Sequence, residues 1–415
     1  MKLFFKKISS IFTKLRVWGI KGVVGYFPRW FASIRIKHFL CKNARQHLGT
    51  TPERGITVIA PISRGYSNSK TVRDFLFALK RAGIPFQGFD INPAKNSLTS
   101  DYLDVVTPRH DFNVRRFTHV VEMFRSPLPD GIVPVRARIA FWEGESGLLE
   151  TFPYLASSDP VIAMSDFNFD DFCKELPKTT KVFKILYPLQ EISKDLEDKK
   201  IICKRYGFGE DDFIVFYNFD LGSFHRKNPL AAIKSFSRVL RGVANARLVF
   251  KVNLASDYPN HIETIKRCVE EEGISSQFTI ISGYLSRREI YSLTNACDVY
   301  LSLHRAEGFG IGMAEAMQLG KVVIATDYSA STEFCLPSHS IPIPYTLVDI
   351  KPGEYFLSMK QWAEADVSAA SDAILHCYND IAYRTRLGKQ AKAFIDEYFS
   401  TENFKESVSQ FLDAI

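Results

Sequence analysis

LHRAEGFGIGMAEAMQLGKVVIAT, Leu303–Thr326, is the stretch on which the reading of this chain turns. Its opening reads as the end of a strand, its glycines as a loop, MAEAMQLG as a short helix and KVVIAT as a second buried strand. Gly308, Gly310 and Gly312 leave the backbone uncluttered where a ligand could come close. A helix starting near Gly310, with Phe309 and Ile311 flanking it, aims free N–H groups and a partial positive charge at that approach. Glu307 and Glu315 stand eight positions apart, one in the loop and one on the helix. Ionised carboxylates accept charge-assisted hydrogen bonds from sugar hydroxyls or a ribose diol. Two glutamates at that spacing also arise as a solvated residue and a helix cap. The glycines and the flanking strands raise the pair above that.

Working outward, the stretch closes a series of strands and helices: DFIVFYNFD (212–220), a helix from Pro229 to Leu240, ARLVFKVN (246–253), a helix near 260–272, QFTIISGY (277–284), a helix from Ser286 to Ala296 and DVYLSLH (298–304). Strands alternating with helices imply a parallel, doubly wound sheet with ligands at the carboxyl ends of its strands. DLGSFHRKNP (220–229) follows the first of these strands and places Arg226 and Lys227 just before a helix begun by Asn228-Pro229. Arginine grips a phosphate through two N–H groups while lysine acts as a mobile point charge; two solvated bases would give the same pattern. Asn253, and Lys251 within its strand, could add contacts.

An earlier series of the same kind starts near Gly55: ITVIAPI (56–62), a helix Lys70–Ala82, PFQGFDI (85–91), FTHVVEMF (117–124), RIAFW (138–142), PVIAMS (160–165) and KVFKILY (181–187). The pattern changes near Gln190, where EISKDLEDKK reads as helix or linker. The predicted divisions are 1–50, a basic amphipathic extension; 51–192, a first Rossmann-like domain; 193–385, a second Rossmann-like domain; and 386–415, helices packing back toward the first domain. In the earlier series Arg64 and Gly65, with Tyr66, occupy a loop at a strand's carboxyl end. His119 reads as a strand residue more readily than as a site residue. Glu143 and Glu145 follow a strand and could orient an acceptor hydroxyl, or simply alternate along an edge. Ser165 is a weaker acceptor candidate.

The length of 415 residues favours two domains. The seven cysteines (Cys41, Cys173, Cys203, Cys268, Cys297, Cys335 and Cys377) form no CxxC pair, which argues for a reducing compartment without a disulfide framework or zinc cluster. The net charge of +7 is local: residues 1–50 hold 11 Lys or Arg and no acid, and residues 51–415 are net acidic. A nucleic-acid partner is therefore not expected. Phe4, Ile8, Ile11, Phe12 and Leu15 at helical spacing, then Trp18, Phe27, Trp30, Phe31 and Phe39 among lysines and arginines, suit a helix on an anionic membrane surface. A helix packed on the protein's own body is the alternative. No run is long and apolar enough to span a membrane, and no signal peptide is read.

SLHRAEGFGIGMAEAMQLGKVVIATDYSASTEF resembles the signature of the retaining family 4 (group 1) glycosyltransferases, which have the GT-B fold. Their Glu-x7-Glu motif is matched by Glu307 and Glu315. FDLGSFHRKNPLAAI is similar to the element that supplies the family's donor-phosphate cations, here Arg226 and Lys227. IPYTLVDIKPGEY, WAEADVSAA, FWEGES (141–146) and MSDFN resemble a bacterial branch acting on cell-surface polysaccharides. Relatives usually have Gly-Asn where Ala330-Ser331 stand, so backbone freedom and an amide are lost there.

The resemblance implies an α/β protein of two Rossmann-like domains facing across a cleft, the acceptor bound by 51–192 and the nucleotide sugar by 193–385. It implies transfer, with retention, from a nucleoside-diphosphate sugar to a lipid-linked, lipopolysaccharide or capsule glycan. No metal or other cofactor is expected, in keeping with the absence of Asp-x-Asp. Glu307, Arg226 and Lys227 would be catalytic. Glu315, Gly308, Phe309, Gly310, Ile311 and Asn253 would hold the donor. The enzyme is expected in the cytoplasm, at the inner face of the cytoplasmic membrane. A sugar-nucleotide epimerase and a non-catalytic sugar-nucleotide-binding subunit are the alternatives.

Overall fold

Runs of Val, Ile and Phe bounded by glycine, proline and polar residues become strands here, and the amphipathic segments between them become helices. The structure is a computed structural model, and it describes residues 33–63, 67–91, 104–123, 131–157, 159–355 and 358–415. By compactness the chain divides into Met1–Ile139 with Leu412–Ile415, and Ala140–Phe411. The change of pattern near Gln190 is a different boundary, the end of one strand series and the start of the next.

In the first unit, helix α1 (33–46) precedes β1 (Glu53–Ala60), α2 (Ser67–Arg81), β2 (Phe86–Asp90), β3 (Phe117–Met123) and β4 (Val135–Ile139). The strands are parallel in the order β2-β1-β3-β4. Ile36, Leu40 and Ala44, four residues apart on one face of α1, are buried against Ile59, Phe89, Phe112, Val114 and Val120. Phe39 stacks on Phe89 with centroids 5.4 Å apart. Asn43 donates from Nδ2 to Phe112 O at 2.7 Å and accepts from Val114 N at 2.8 Å. One face of this part of the basic extension is therefore packed on the protein's own body, the alternative that the sequence left open for it. Residues 1–32 lie outside the described residues.

The second unit opens with the loop after β4, then α3 (Leu148–Thr151) and the parallel pair β5 (Val161–Ala163) and β6 (Val182–Lys184), with α4 (Asp166–Glu175) between them. RIAFW, read as one strand, is not one: β4 ends at Ile139, and Trp142 leaves the sheet because Asn168 on α4 holds its carbonyl at 2.6 Å. The next series is α5 (Lys199–Tyr206), β7 (Phe213–Asp220), α6 (Phe224–Lys227), α7 (Pro229–Leu240), β8 (Ala246–Asn253), α8 (Pro259–Glu271), β9 (Phe278–Ser282), α9 (Arg287–Ala296), β10 (Val299–Ser302), α10 (Ile311–Gln318), β11 (Val322–Thr326) and β12 (Ile341–Ile343).

The second sheet runs β12-β11-β10-β7-β8-β9, with parallel pairing. This is a doubly wound order, and its reversal point falls between β7 and β10. An antiparallel hairpin follows, β13 (Tyr345–Asp349) with β14 (Gln361–Ala365), which the sequence reading did not resolve. Helices α11 (Val367–Asn379), α12 (Ile381–Tyr398) and α13 (Thr401–Asp413) complete the chain. Among the described residues no helix is long and apolar enough to cross a membrane.

Candidate active site

Open α/β sheets bind ligands where their strand order reverses, because the loops leave in opposite directions there and open a crevice. In this sheet those loops follow β7 and β10, the two that carry Arg226, Lys227 and Glu307. Asp220 at the end of β7 accepts from Gly222 N at 2.9 Å, which starts the turn into α6. Asn228 then takes a left-handed conformation (φ 49°), ends α6, and lets α7 start with Pro229. The turn aims Arg226 and Lys227 back at the β10 loop. Tyr217 fixes the main chain there by donating to Lys227 O at 2.8 Å.

Glu307 is buried, with 6% of its surface exposed. Its carboxylate accepts from Arg226 Nη1 at 3.1 Å and pairs with the Lys227 ammonium. Its backbone is held on both sides: its N–H donates to Ser329 Oγ at 2.7 Å and its carbonyl accepts from Ala330 N at 3.2 Å. Burial pushes the Glu307 carboxyl upward, but Lys227 and Arg226 outweigh it and bring the pKa down to about 2. Burial likewise opposes the Arg226 charge, and Glu143 with Glu307 overcomes it, raising that pKa above the ordinary arginine value.

Arg226 is gripped on all sides. Nη1 also donates to Ala306 O at 2.8 Å, Nη2 donates to Ser223 Oγ at 3.3 Å, and Nε lies 3.2 Å from Glu143 Oε2. Glu143 accepts in turn from the Tyr355 hydroxyl. Glu143 thus arrives beside Arg226, and a Cβ added at Gly308 would meet Phe141, Trp142 and Glu143 at ordinary van der Waals distance.

The remaining candidates scatter. Glu315, on the first turns of α10, is buried and accepts from Tyr291 Oη of α9 at 2.8 Å. Gly310 caps α10 in the left-handed region (φ 98°), and Ile311 begins the helix. The Phe309 ring points into an aromatic cluster, stacked on Tyr187 at 3.9 Å and edge-on to Phe399, so only its backbone is available to a ligand. Asn253 Oδ1 accepts from Lys251 Nζ at 2.5 Å; Lys251 is fully buried, and burial pulls its pKa down to about 8. Glu145 is exposed, and burial first, then the Glu145 charge, hold the Tyr328 hydroxyl above the ordinary tyrosine range. Ser165 is the N-cap of α4: its hydroxyl accepts from Asn168 N at 3.2 Å and is buried. His119 is buried in β3 beside Thr118, and burial first, then Arg54, hold its pKa down at about 4. Arg64 and Gly65 lie outside the described residues.

The Ala330-Ser331 departure falls in a structural turn. Ser331 is fully buried and bonds with His304 Nε2 at 3.2 Å and Tyr328 O at 3.3 Å. Neighbouring Glu333 accepts from Asp166 N at 2.9 Å and from Tyr398 Oη at 2.8 Å, and pairs with Lys184 at 2.9 Å. The sequence reading missed Tyr291, Tyr355 and Ser329. Their partners are far along the chain, and no local pattern marks them. Among the described residues, no group of three or more His, Cys, Asp or Glu side chains is placed to hold a metal ion.

Residues 198–338, which contain both cations and both glutamates, match the family model described as "Glycosyl transferases group 1", so the chain carries a domain of that kind. Over 131 residues the chain is 29% identical to the serotype-specific mannosyltransferase WbdA of Escherichia coli. That match covers 30% of this chain and 15% of the relative. Among solved structures, HepE of Anabaena, in complex with UDP and glucose, is similar with a TM-score of 0.60 at 13% identity, over 88% of this chain and 100% of that one. Sucrose-phosphate synthase of Thermosynechococcus elongatus is similar with a TM-score of 0.64 at 15% identity, over 87% and 99%. These likenesses show the fold: a two-domain α/β protein of the GT-B type.

Proposed function

We propose that the chain is a glycosyltransferase that moves a sugar, with retention of configuration, from a nucleoside-diphosphate sugar to a lipid-linked, lipopolysaccharide or capsule glycan. One observation carries the reading. Two cations after β7 and a carboxylate after β10 meet at the reversal point of a doubly wound sheet, inside the residues that match the group 1 family. WbdA, a mannosyltransferase by its description, and HepE, solved with UDP and glucose, support a hexose donor.

In the reaction the bond between the anomeric carbon and the diphosphate oxygen breaks, and its electron pair leaves on the diphosphate. The acceptor hydroxyl oxygen joins the same face of that carbon, and its proton passes to the departing diphosphate oxygen on that face. Charge gathering on the diphosphate is offset by Lys227 and Arg226 and by the N-terminus of α10. Glu307 holds sugar hydroxyls, and Glu315, oriented by Tyr291, accepts from the ribose diol. The two cations supply the charge balance, and the proposal includes no metal. The basic residues within 1–32 bring the enzyme to the inner face of the cytoplasmic membrane.

The test is a panel of UDP-, GDP- and dTDP-sugars read by thermal shift and by hydrolysis. A true donor raises the melting temperature by mass action and is turned over slowly to the nucleoside diphosphate. Absence of both effects across the panel refutes the reading.

A further inference from the structure

The charges around Arg226 cancel. Glu143 and Glu307 flank its guanidinium, and Lys227 closes the set against Glu307, so two carboxylates meet two cations. A diphosphate entering this quartet adds negative charge to a neutral, buried cluster. Binding is favourable only if one carboxylate gives way, because the cations cannot serve both at full strength.

The two carboxylates are not held equally. Glu307 is fixed through its backbone at Ser329 and Ala330, touches both cations, and has a side chain 8% exposed. Glu143 touches one cation, through Nε alone, and its side chain is 21% exposed. It also has a second partner in the Tyr355 hydroxyl, which can keep its carboxylate bonded when Arg226 is taken away. The loop beneath it is anchored independently, by the hydrogen bond of Asn168 to Trp142 O and by Gly144 packed on Met359. Glu143 can therefore turn without unravelling its surroundings.

We propose that Glu143 is a positioning residue that occupies Arg226 in the place of a diphosphate and is exchanged for it. Without ligand it keeps the guanidinium aimed and neutralised. With ligand it lets go of Arg226 while keeping its bond from Tyr355, and on product release it returns to the guanidinium and helps expel the nucleoside diphosphate. This rests on the proposed donor chemistry, but the exchange itself needs only a diphosphate and these four side chains.

The experiment is calorimetric titration of the full-length chain with inorganic pyrophosphate and with UDP, GDP and dTDP, for wild type, E143Q, E143D and E145Q. Glutamine keeps the shape of Glu143 and its bond to Tyr355 but removes the competing charge, so pyrophosphate is expected to bind about tenfold more tightly to E143Q. E143D, whose shorter carboxylate loses its hold on Nε, shifts the same way by less. E145Q, on the same loop but exposed and outside the quartet, leaves the affinity unchanged. Thermal melts identify which variants are folded. Folded E143Q and E143D that bind pyrophosphate no more tightly than wild type overturn the proposal, as does an equal gain in E145Q. If pyrophosphate tightens as expected and no nucleoside diphosphate binds any of the proteins, the exchange stands and the nucleotide-sugar reading falls.

Discussion

Tyr291 on α9 donates its hydroxyl proton to Glu315 Oε1 on α10 at 2.8 Å, and both side chains are buried. The bond leaves the other carboxylate oxygen oriented by a neighbouring helix that is itself stapled by a capping box at Ser286 and Glu289. Glu315 is thus set by α9 as much as by its own helix. For Y291F, the KM for the donor is expected to rise about fivefold with kcat nearly unchanged, since one hydrogen bond contributes roughly 1 kcal/mol. Steady-state kinetics with the identified donor decide it, and a fall in kcat alone would contradict the assignment.

Glu307 is expected to be indispensable in two ways. E307Q removes the carboxylate that two buried cations face, at a stability cost of about 3 kcal/mol, and lowers kcat on the order of 100-fold or more. The carboxyl is held at about 2, below its unfolded value near 4.5. Its contribution is therefore complete above about pH 4.5 and fades as the pH falls through 2. Urea denaturation at pH 7 and pH 3 checks this: wild type and E307Q are expected to differ less at the lower pH.

His304 gives an opposite chemistry with the same sign. It is fully buried, bonded to Ser302, Tyr328 O and Ser331, and burial brings its pKa down to about 4. Between pH 6.5 and 4 the unfolded chain takes up a proton that the folded histidine refuses. Stability is complete above about 6.5 and falls by up to about 3 kcal/mol toward pH 4. In H304Q this slope is expected to flatten; equal slopes in the two proteins would refute the assignment.

Gly312 sits where α10 crosses β10, and a Cβ there would collide with the Tyr300 hydroxyl, which donates to Asn218 O at 3.3 Å. G312A is expected to cost about 1–3 kcal/mol by overpacking, despite the better helix propensity of alanine. Adding Y300F removes the oxygen in the way and recovers part of the loss. Chemical denaturation of the two single variants and the double variant reads out the coupling.

The amino-terminal fifty residues are expected to separate into two functions. Deleting 1–32 removes seven Lys or Arg and no acid, and abolishes binding to anionic vesicles at low salt while leaving the melting temperature almost unchanged. Deleting 1–48 also strips Ile36, Leu40 and Ala44 from the first unit, and L40A alone is expected to cost about 2–5 kcal/mol. Vesicle sedimentation and thermal melts on both truncations distinguish tether from core.

The meeting of Arg226, Lys227 and Glu307 was legible because these residues lie in short runs that follow strands. Arg226-Lys227 follows one strand, Glu307 follows another, and the doubly wound order brings such loops together. What was not legible depends on partners far along the chain. Glu143 read equally as an edge residue, because nothing near FWEGES announces Arg226. Ser165 read as a site residue because a serine after a strand looks the same whether it caps a helix or meets a ligand. Residues 36–44 carry the same mixture of aromatics and bases as the segment before them, and only the packing on Phe89 and Phe112 shows that this helix face is core. The β13–β14 hairpin was missed because its exposed strand, YTLVD, lacks the buried alternation that marks the others.

The neutral quartet also bears on how an anionic ligand would arrive. Four charges that cancel within a few ångströms project little field into solvent, so the resting site exerts almost no pull on an approaching anion. Encounter is then governed by diffusion and orientation, with an association rate nearly flat in ionic strength.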